Sequence, residues 1–123
     1  MLNKNNGVIK YMKKVNVILE GYCKGNELFH FSRDNFVSQI GCGEPLNPPY
    51  VTNYTVIDET NKDQYSVWKG ALGVALLGGF GAVAGIGGKK KKEYLIAIEW
   101  KDGEKSLICL DDEAYKTFVR SMF

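Results

Sequence analysis

Histidine is almost missing from this sequence, with His30 standing alone in 123 residues, and none of the cysteines Cys23, Cys42 and Cys109 forms a Cys-x-x-Cys pair. That scarcity removes the recognisable ligand sets of zinc sites and the spacing of a redox motif. No metal or other cofactor is expected. Three cysteines are an odd number, and read most simply as reduced thiols in a cytosol. An excess of one charge is missing too. Residues 1–69 carry eight bases and seven acids, and residues 89–123 carry eight and seven again. Neither part is a nucleic-acid-binding arm on charge alone. Proline is confined to Pro45, Pro48 and Pro49.

What is present suits one domain with one core, because 123 residues are too few for two substantial ones. The start, MLNKNNGVIKYMKK, is polar and basic, and no apolar run of signal-peptide length follows it. Met12 opens MKKVNVILE as a natural start would. Residues 1–11 are therefore expected to be a flexible extension, residues 12–123 to be the domain, and the location to be cytoplasmic.

Val15 to Tyr22 is rich in β-branched residues and places Val15, Val17 and Leu19 on one face of a strand, with a turn at Cys23-Lys24-Gly25-Asn26. Leu28 to Phe31 and Phe36 to Ile40 read as short strands separated by the turn residues Ser-Arg-Asp-Asn. The run GCGEPLNPP, residues 41–49, reads as a long exposed loop, since its prolines cannot join a ladder. Val51 to Asp58 returns to strand character. Thr60 and Asp63 then offer a capping-box start for a helix beginning near residue 61. Glu93 to Trp100 alternates, with Tyr94, Ile96, Ile98 and Trp100 on one face. Asp102-Gly103 predicts a type I′ hairpin turn into a return strand from Ser106 to Leu110. Asp111 or Asp112 can cap a closing helix whose residues Tyr115, Phe118, Val119 and Met122 make one apolar stripe.

Between these elements, Gly70 to Gly88 holds 19 residues with no charged or hydrogen-bonding side chain, and eight are glycine. Such a length suffices for a membrane span, and Lys89 to Lys92 would anchor its end. Each glycine, however, costs a helix roughly 1 kcal/mol relative to alanine. A single crossing would also divide the strands between two sides of a bilayer. A hairpin bent at Gly78-Gly79, with small residues letting two arms approach, keeps the strands together and is the favoured reading.

The run from Tyr54 to Phe123, with TVIDET, WKGALG and GGFGAVAGIGGKKKKEYLIAIEWKDGEKSLICLDDEAYKTF, resembles small pleckstrin-homology-like domains of Gram-positive bacteria and their phages. In those domains a glycine zipper interrupts the sheet, and some carry a SHOCT segment, which is not recognisable here. The resemblance implies an α+β fold: a curved antiparallel sheet or partly open barrel of about six strands, with a glycine-rich helical insertion over residues 61–92 and a C-terminal helix. It implies a binding role and supplies no catalytic residues.

Lys89, Lys90, Lys91 and Lys92 are candidates for anionic lipid or phosphate, against the alternative of a solubilising linker. Trp68 is a candidate partner anchor, against a place in the core. Cys42 in Gly-Cys-Gly would need His30 as its base in a small thiol enzyme, whereas a half-buried strand position accounts for His30 without chemistry. The expectation is a non-enzymatic module that contacts another protein, in one form a phage or mobile-element inhibitor of a bacterial defence enzyme. Its alternatives are a protein associated with the inner face of a membrane through residues 70–92, and the thiol enzyme. Nucleic acid is not an expected partner. A homodimer packed through the glycine segment is compatible with the same residues.

Overall fold

The computed structural model describes residues 15–30, 35–42, 44–68, 70–72, 81–86 and 89–123, with only the backbone of 81–92. The expected extension 1–11, residues 32–34 of the expected turn, and residues 73–80 and 87–88 of the glycine segment lie outside the described residues.

The architecture is α+β: an open, antiparallel sheet and a C-terminal helix. Strands β1 (Val17–Gly21), β2 (Leu28–His30), β3 (Val37–Gln39), β4 (Val51–Ile57), β5 (Gly81–Ile86), β6 (Lys89–Trp100) and β7 (Lys105–Asp111) precede helix α1 (Asp112–Ser121). In the main sheet the order is β1-β7-β6-β4, and β5 also pairs β6. Glu93 faces both Gly81 of β5 and Asp111 of β7, so β5 extends the same edge of β6 that β4 occupies higher up.

The two-stranded β2–β3 sheet is not detached. An isolated bridge joins Val17 to Glu27, Ile18 N–H donates to Asn26 C=O at 2.9 Å, and Leu28 N–H donates to Asn16 C=O at 2.8 Å. A second bridge joins Val37 to Leu46. The ladder can thus be followed from Leu46 through β3, β2, β1, β7 and β6 to β4.

Two clusters fill the opposite faces of this sheet. Ile96, Ile98 and Trp100 of β6 meet Ile108 and Leu110 of β7, Phe118 of α1, and Leu28 and Val37 of the β2–β3 hairpin. Leu95 and Ala97 point the other way with Leu107 and Cys109, under Trp68 and Leu72. The expected alternation in β6 is present, yet both of its faces are covered. Apolar residues at successive positions are the mark of such a doubly covered strand.

Trp68 reaches its position on a 3-10 helix, Lys62–Trp68, kinked at Tyr65. The capping box expected at Thr60 and Asp63 is not what starts it. Asp58 accepts hydrogen bonds from the Thr60 hydroxyl at 2.6 Å and from the Thr60 and Asn61 amides, and the Thr60 contact leads in holding its carboxyl below the ordinary range. An Asx turn at Asp58 takes the Thr60 amide that the Asp63 carboxylate of a capping box would accept from.

Three further expectations are corrected. The second arm of the glycine segment, 81–86, is a strand, and Lys89–Lys92 belong to β6 instead of preceding it. Pairing with β6 gives the backbone of 81–86 hydrogen-bond partners from a neighbouring strand. The Asp102-Gly103 turn is not type I′, because only Gly103 has a positive φ, +93°. Gly103 N–H donates to Trp100 C=O and Trp100 N–H to Glu104 C=O, the pattern of a three-residue loop closed by a left-handed glycine. Finally, loop 41–49 is not simply exposed: Leu46 is fully buried in the core beside Phe118.

One polar chain stitches β6 and β7 to the residue that follows β1. Trp100 Nε1–H donates to Ser106 Oγ at 2.9 Å, and the Ser106 hydroxyl donates to Tyr22 C=O at 2.7 Å. Ser106→Ala leaves the indole N–H and that carbonyl without these partners. A loss of about 2 kcal/mol is expected for such unsatisfied groups, read from the midpoint of urea unfolding.

Helix α1 starts as expected from its acidic pair. Asp111 is the N-cap, accepting from Ala114 N–H at 2.9 Å, and is itself held by Asn16. Its stripe is also as expected, with Phe118 buried and Tyr115, Val119 and Met122 packed around it.

Candidate functional site

The residues nominated for thiol chemistry are held apart. Cys42 forms a disulfide with Cys23, so the expectation of three reduced thiols is corrected. Spacing along the chain carried no sign of it, since the two stand 19 positions apart and the β1–β2 turn and the segment after β3 meet only in the folded sheet. Asn26 seals the meeting, its Nδ2 donating to Gln39 Oε1 at 3.0 Å and to the Ile40 and Cys42 carbonyls.

His30 sits at the other end of the β2–β3 hairpin, where it pairs with Val37, whereas Cys42 lies beyond the Leu28–Gln39 pair. Its Nε2 is 2.7 Å from Thr117 Oγ1, which also accepts from Arg120 at 3.3 Å. The half-buried strand position expected for His30 is what the fold provides, and its contact fastens α1 to β2. Among the described residues no group of three or more His, Cys, Asp or Glu side chains could hold a metal.

Cys109 is the remaining thiol. It is buried among Leu95, Leu107 and Trp68, and burial pushes its pKa far above the ordinary value, with the Glu93 and Asp111 carboxylates adding to the shift. Burial likewise leads in raising Tyr94, whose hydroxyl donates to Asp112 at 3.1 Å, and Tyr115 stacked on it at 3.8 Å. In each case the folded protein keeps a proton that the unfolded chain releases. Their contribution to stability is therefore complete below the unfolded pKa values and is lost as pH rises toward the folded ones. Stability should fall from about pH 9 upward, where an unfolded Cys109 begins to ionise. Urea midpoints compared at neutral and alkaline pH should show the decline, and Cys109→Ala should make it shallower.

Trp68 does not serve as an exposed anchor: it is 9% accessible, stacks on Tyr65 at 6.1 Å and caps the second core cluster. The backbones of Lys89 to Lys92 lie in β6 and pair in part with β5, while their side chains lie outside the described residues. The fold therefore does not bring Cys42 and His30 together as a site.

What it does assemble is a surface that sequence reasoning missed. Beyond the reach of Trp68, the same face of the sheet opens into a groove of about 130 Å³ lined by Asn53, Thr55, Tyr65, Ala97, Glu99 and Lys105, with Tyr54 and Ile98 at its base. β4, β6, the start of β7 and the 3-10 helix each supply part of it. Val67, two residues past Tyr65, is 83% exposed. The alternation of β4 hints at this face through Asn53 and Thr55, but only strand pairing places Glu99 and Lys105 beside them.

Among the described residues no helix is long and apolar enough to cross a membrane. No family model, no curated protein and no solved structure matches the chain.

Proposed function

We propose that this protein is a pleckstrin-homology-like binding module that acts by contacting another protein. The observation that carries the reading is the ladder running from Leu46 through β3, β2, β1, β7 and β6 to β4, with the C-terminal helix sharing the core on one of its faces. A bent antiparallel sheet closed by one helix is the arrangement that the sequence resemblance implies. A role in contact is supported by the groove, a mixed polar and aromatic surface with the exposed Val67 close to it in sequence. Apolar centres with polar rims are how protein interfaces are built.

A thiol enzyme is disfavoured by the bond at Cys42 and by the engagement of His30 with Thr117. In its specific form the proposal is a cytoplasmic phage or mobile-element inhibitor of a bacterial defence enzyme, which rests on the resemblance alone. Fold does not fix function, so the target has to come from experiment.

The test compares tagged wild-type protein with a Val67→Asp, Lys105→Glu double variant in affinity capture from a bacterial lysate without detergent. A stoichiometric partner retained by the wild type and lost by the folded variant supports the reading. Capture of nothing, or recovery only with liposomes of anionic lipid, overturns it in favour of the membrane alternative or neither.

A further inference from the structure

The Cys23–Cys42 bond lies at the rim of the fold, between two loops that other contacts also hold. Both cysteines are half-buried, and neither contributes a fully buried side chain to the core. Asn26 donates to Gln39, and Gln39 Nε2 donates in turn to Glu44 C=O at 3.1 Å. Further along, Leu46 N–H donates to Val37 C=O at 2.8 Å, and the buried Leu46 side chain marks where the loop rejoins the core. Gly25 and Gly41 flank the bond on its two chains, each with positive φ and with open space where a side chain would be. These are the ingredients of an element that can open locally.

We propose that Cys23 and Cys42 form a reversible thiol–disulfide latch, which fastens or frees the turn 22–26 and the loop residues 40–42 while the sheet and helix stay folded. This goes beyond binding as such, because the latch controls what the loops present. Tyr22 adjoins Cys23 and sets its ring edge-on to Trp100 at 5.6 Å, and Ile40, 73% exposed, precedes Cys42 by two residues. Tyr22 is also held to β7, its N–H donating to Lys105 C=O and its C=O accepting from Ser106, so the state of the bond acts chiefly on Ile40 and Cys42.

The chemistry is thiol–disulfide exchange with an oxidised low-molecular-weight thiol. One cysteine, as thiolate, attacks the small disulfide, forming a mixed disulfide and releasing one small thiol. The other cysteine then attacks the protein sulfur of that mixed disulfide, closing Cys23–Cys42 and releasing the second small thiol. Two electrons and two protons leave the protein dithiol and are found on the two small thiols. Reduction by two equivalents of thiol runs the same steps backwards. Cys109 takes no part, since it is buried on the opposite face of the sheet.

The experiment equilibrates the whole chain with oxidised or reduced glutathione, traps free thiols by alkylation, and follows amide hydrogen exchange by mass spectrometry. Oxidised glutathione should reduce the thiols trapped after denaturation from three to one and yield a cross-linked Cys23–Cys42 peptide. Reduction should reverse this and speed exchange in 22–26 and 40–42 by about tenfold or more, leaving β6, β7 and α1 unchanged. A folded Cys23→Ser, Cys42→Ser variant should match the reduced protein. Thiols that stay reduced in the folded protein, loops whose exchange does not respond, or reduction that unfolds the sheet would each overturn the proposal.

Discussion

Phe118→Ala should lower the unfolding free energy by about 4 kcal/mol, the loss typical of removing a buried phenylalanine and leaving part of its volume empty. Phe118 is fully buried at the centre of the larger cluster, with Tyr54 edge-on to its ring at 5.1 Å. It is the largest fully buried side chain on the helix and the place where α1, the main sheet and the β2–β3 hairpin converge. The neighbours that would have to close the cavity, Leu46, Ile96 and Ile108, are themselves anchored in different elements, so little collapse is expected. Equilibrium urea unfolding checks the value. Phe118→Leu, which keeps most of the volume, should recover more than half of the loss.

Gly21→Ala should cost about 3 kcal/mol by two additive routes, backbone strain and steric overlap. Gly21 has φ +88°, in the left-handed region, and a methyl group there would run into the Lys105 carbonyl oxygen across the β1–β7 ladder. The obstacle is backbone, so it cannot rotate away. Gly25→Ala serves as the control: it carries a similar φ, +92°, but meets nothing within 4 Å. It should therefore lose only the strain component, about 1–2 kcal/mol. Equal losses at the two sites would show that β1 yields locally and that its pairing to β7 is not rigid. Both measurements need the same redox state of Cys23–Cys42, because a cross-link changes the unfolded reference.

Much of the architecture is legible along the chain. β1, β2, β3, β4, β6 and β7 each fall on a segment where β-branched or aromatic residues dominate between turn signals, and α1 follows the Asp111-Asp112 pair as its stripe predicts. These elements carry their own local signals, a period of two or of about four and a cap. The Asp58 turn was obscured because Asp58 and Asp63 are both placed to accept from the Thr60 amide, and sequence spacing does not rank them. The strand at 81–86 was obscured because glycine and alanine have little periodic hydrophobic contrast; its partner, β6, decides its conformation.

The candidate site was less legible, for a different reason. The groove joins Asn53 and Thr55 of β4 to Glu99 of β6 and Lys105 of β7, and no local pattern announces which residues of different strands will be neighbours. The same holds for Cys23 and Cys42, which become partners only because β1, β2 and β3 fold back on one another. By itself the sequence determined the strands with contrast, the closing helix, the buried role of Trp100 and the half-buried strand place of His30, since each depends on residues close in the chain. The tertiary structure alone decided the strand order, the burial of Trp68 and Leu46, the cross-link and the groove. Those depend on which distant segments share a backbone ladder, and the free energy of that choice is spread over the whole core rather than written into any one segment.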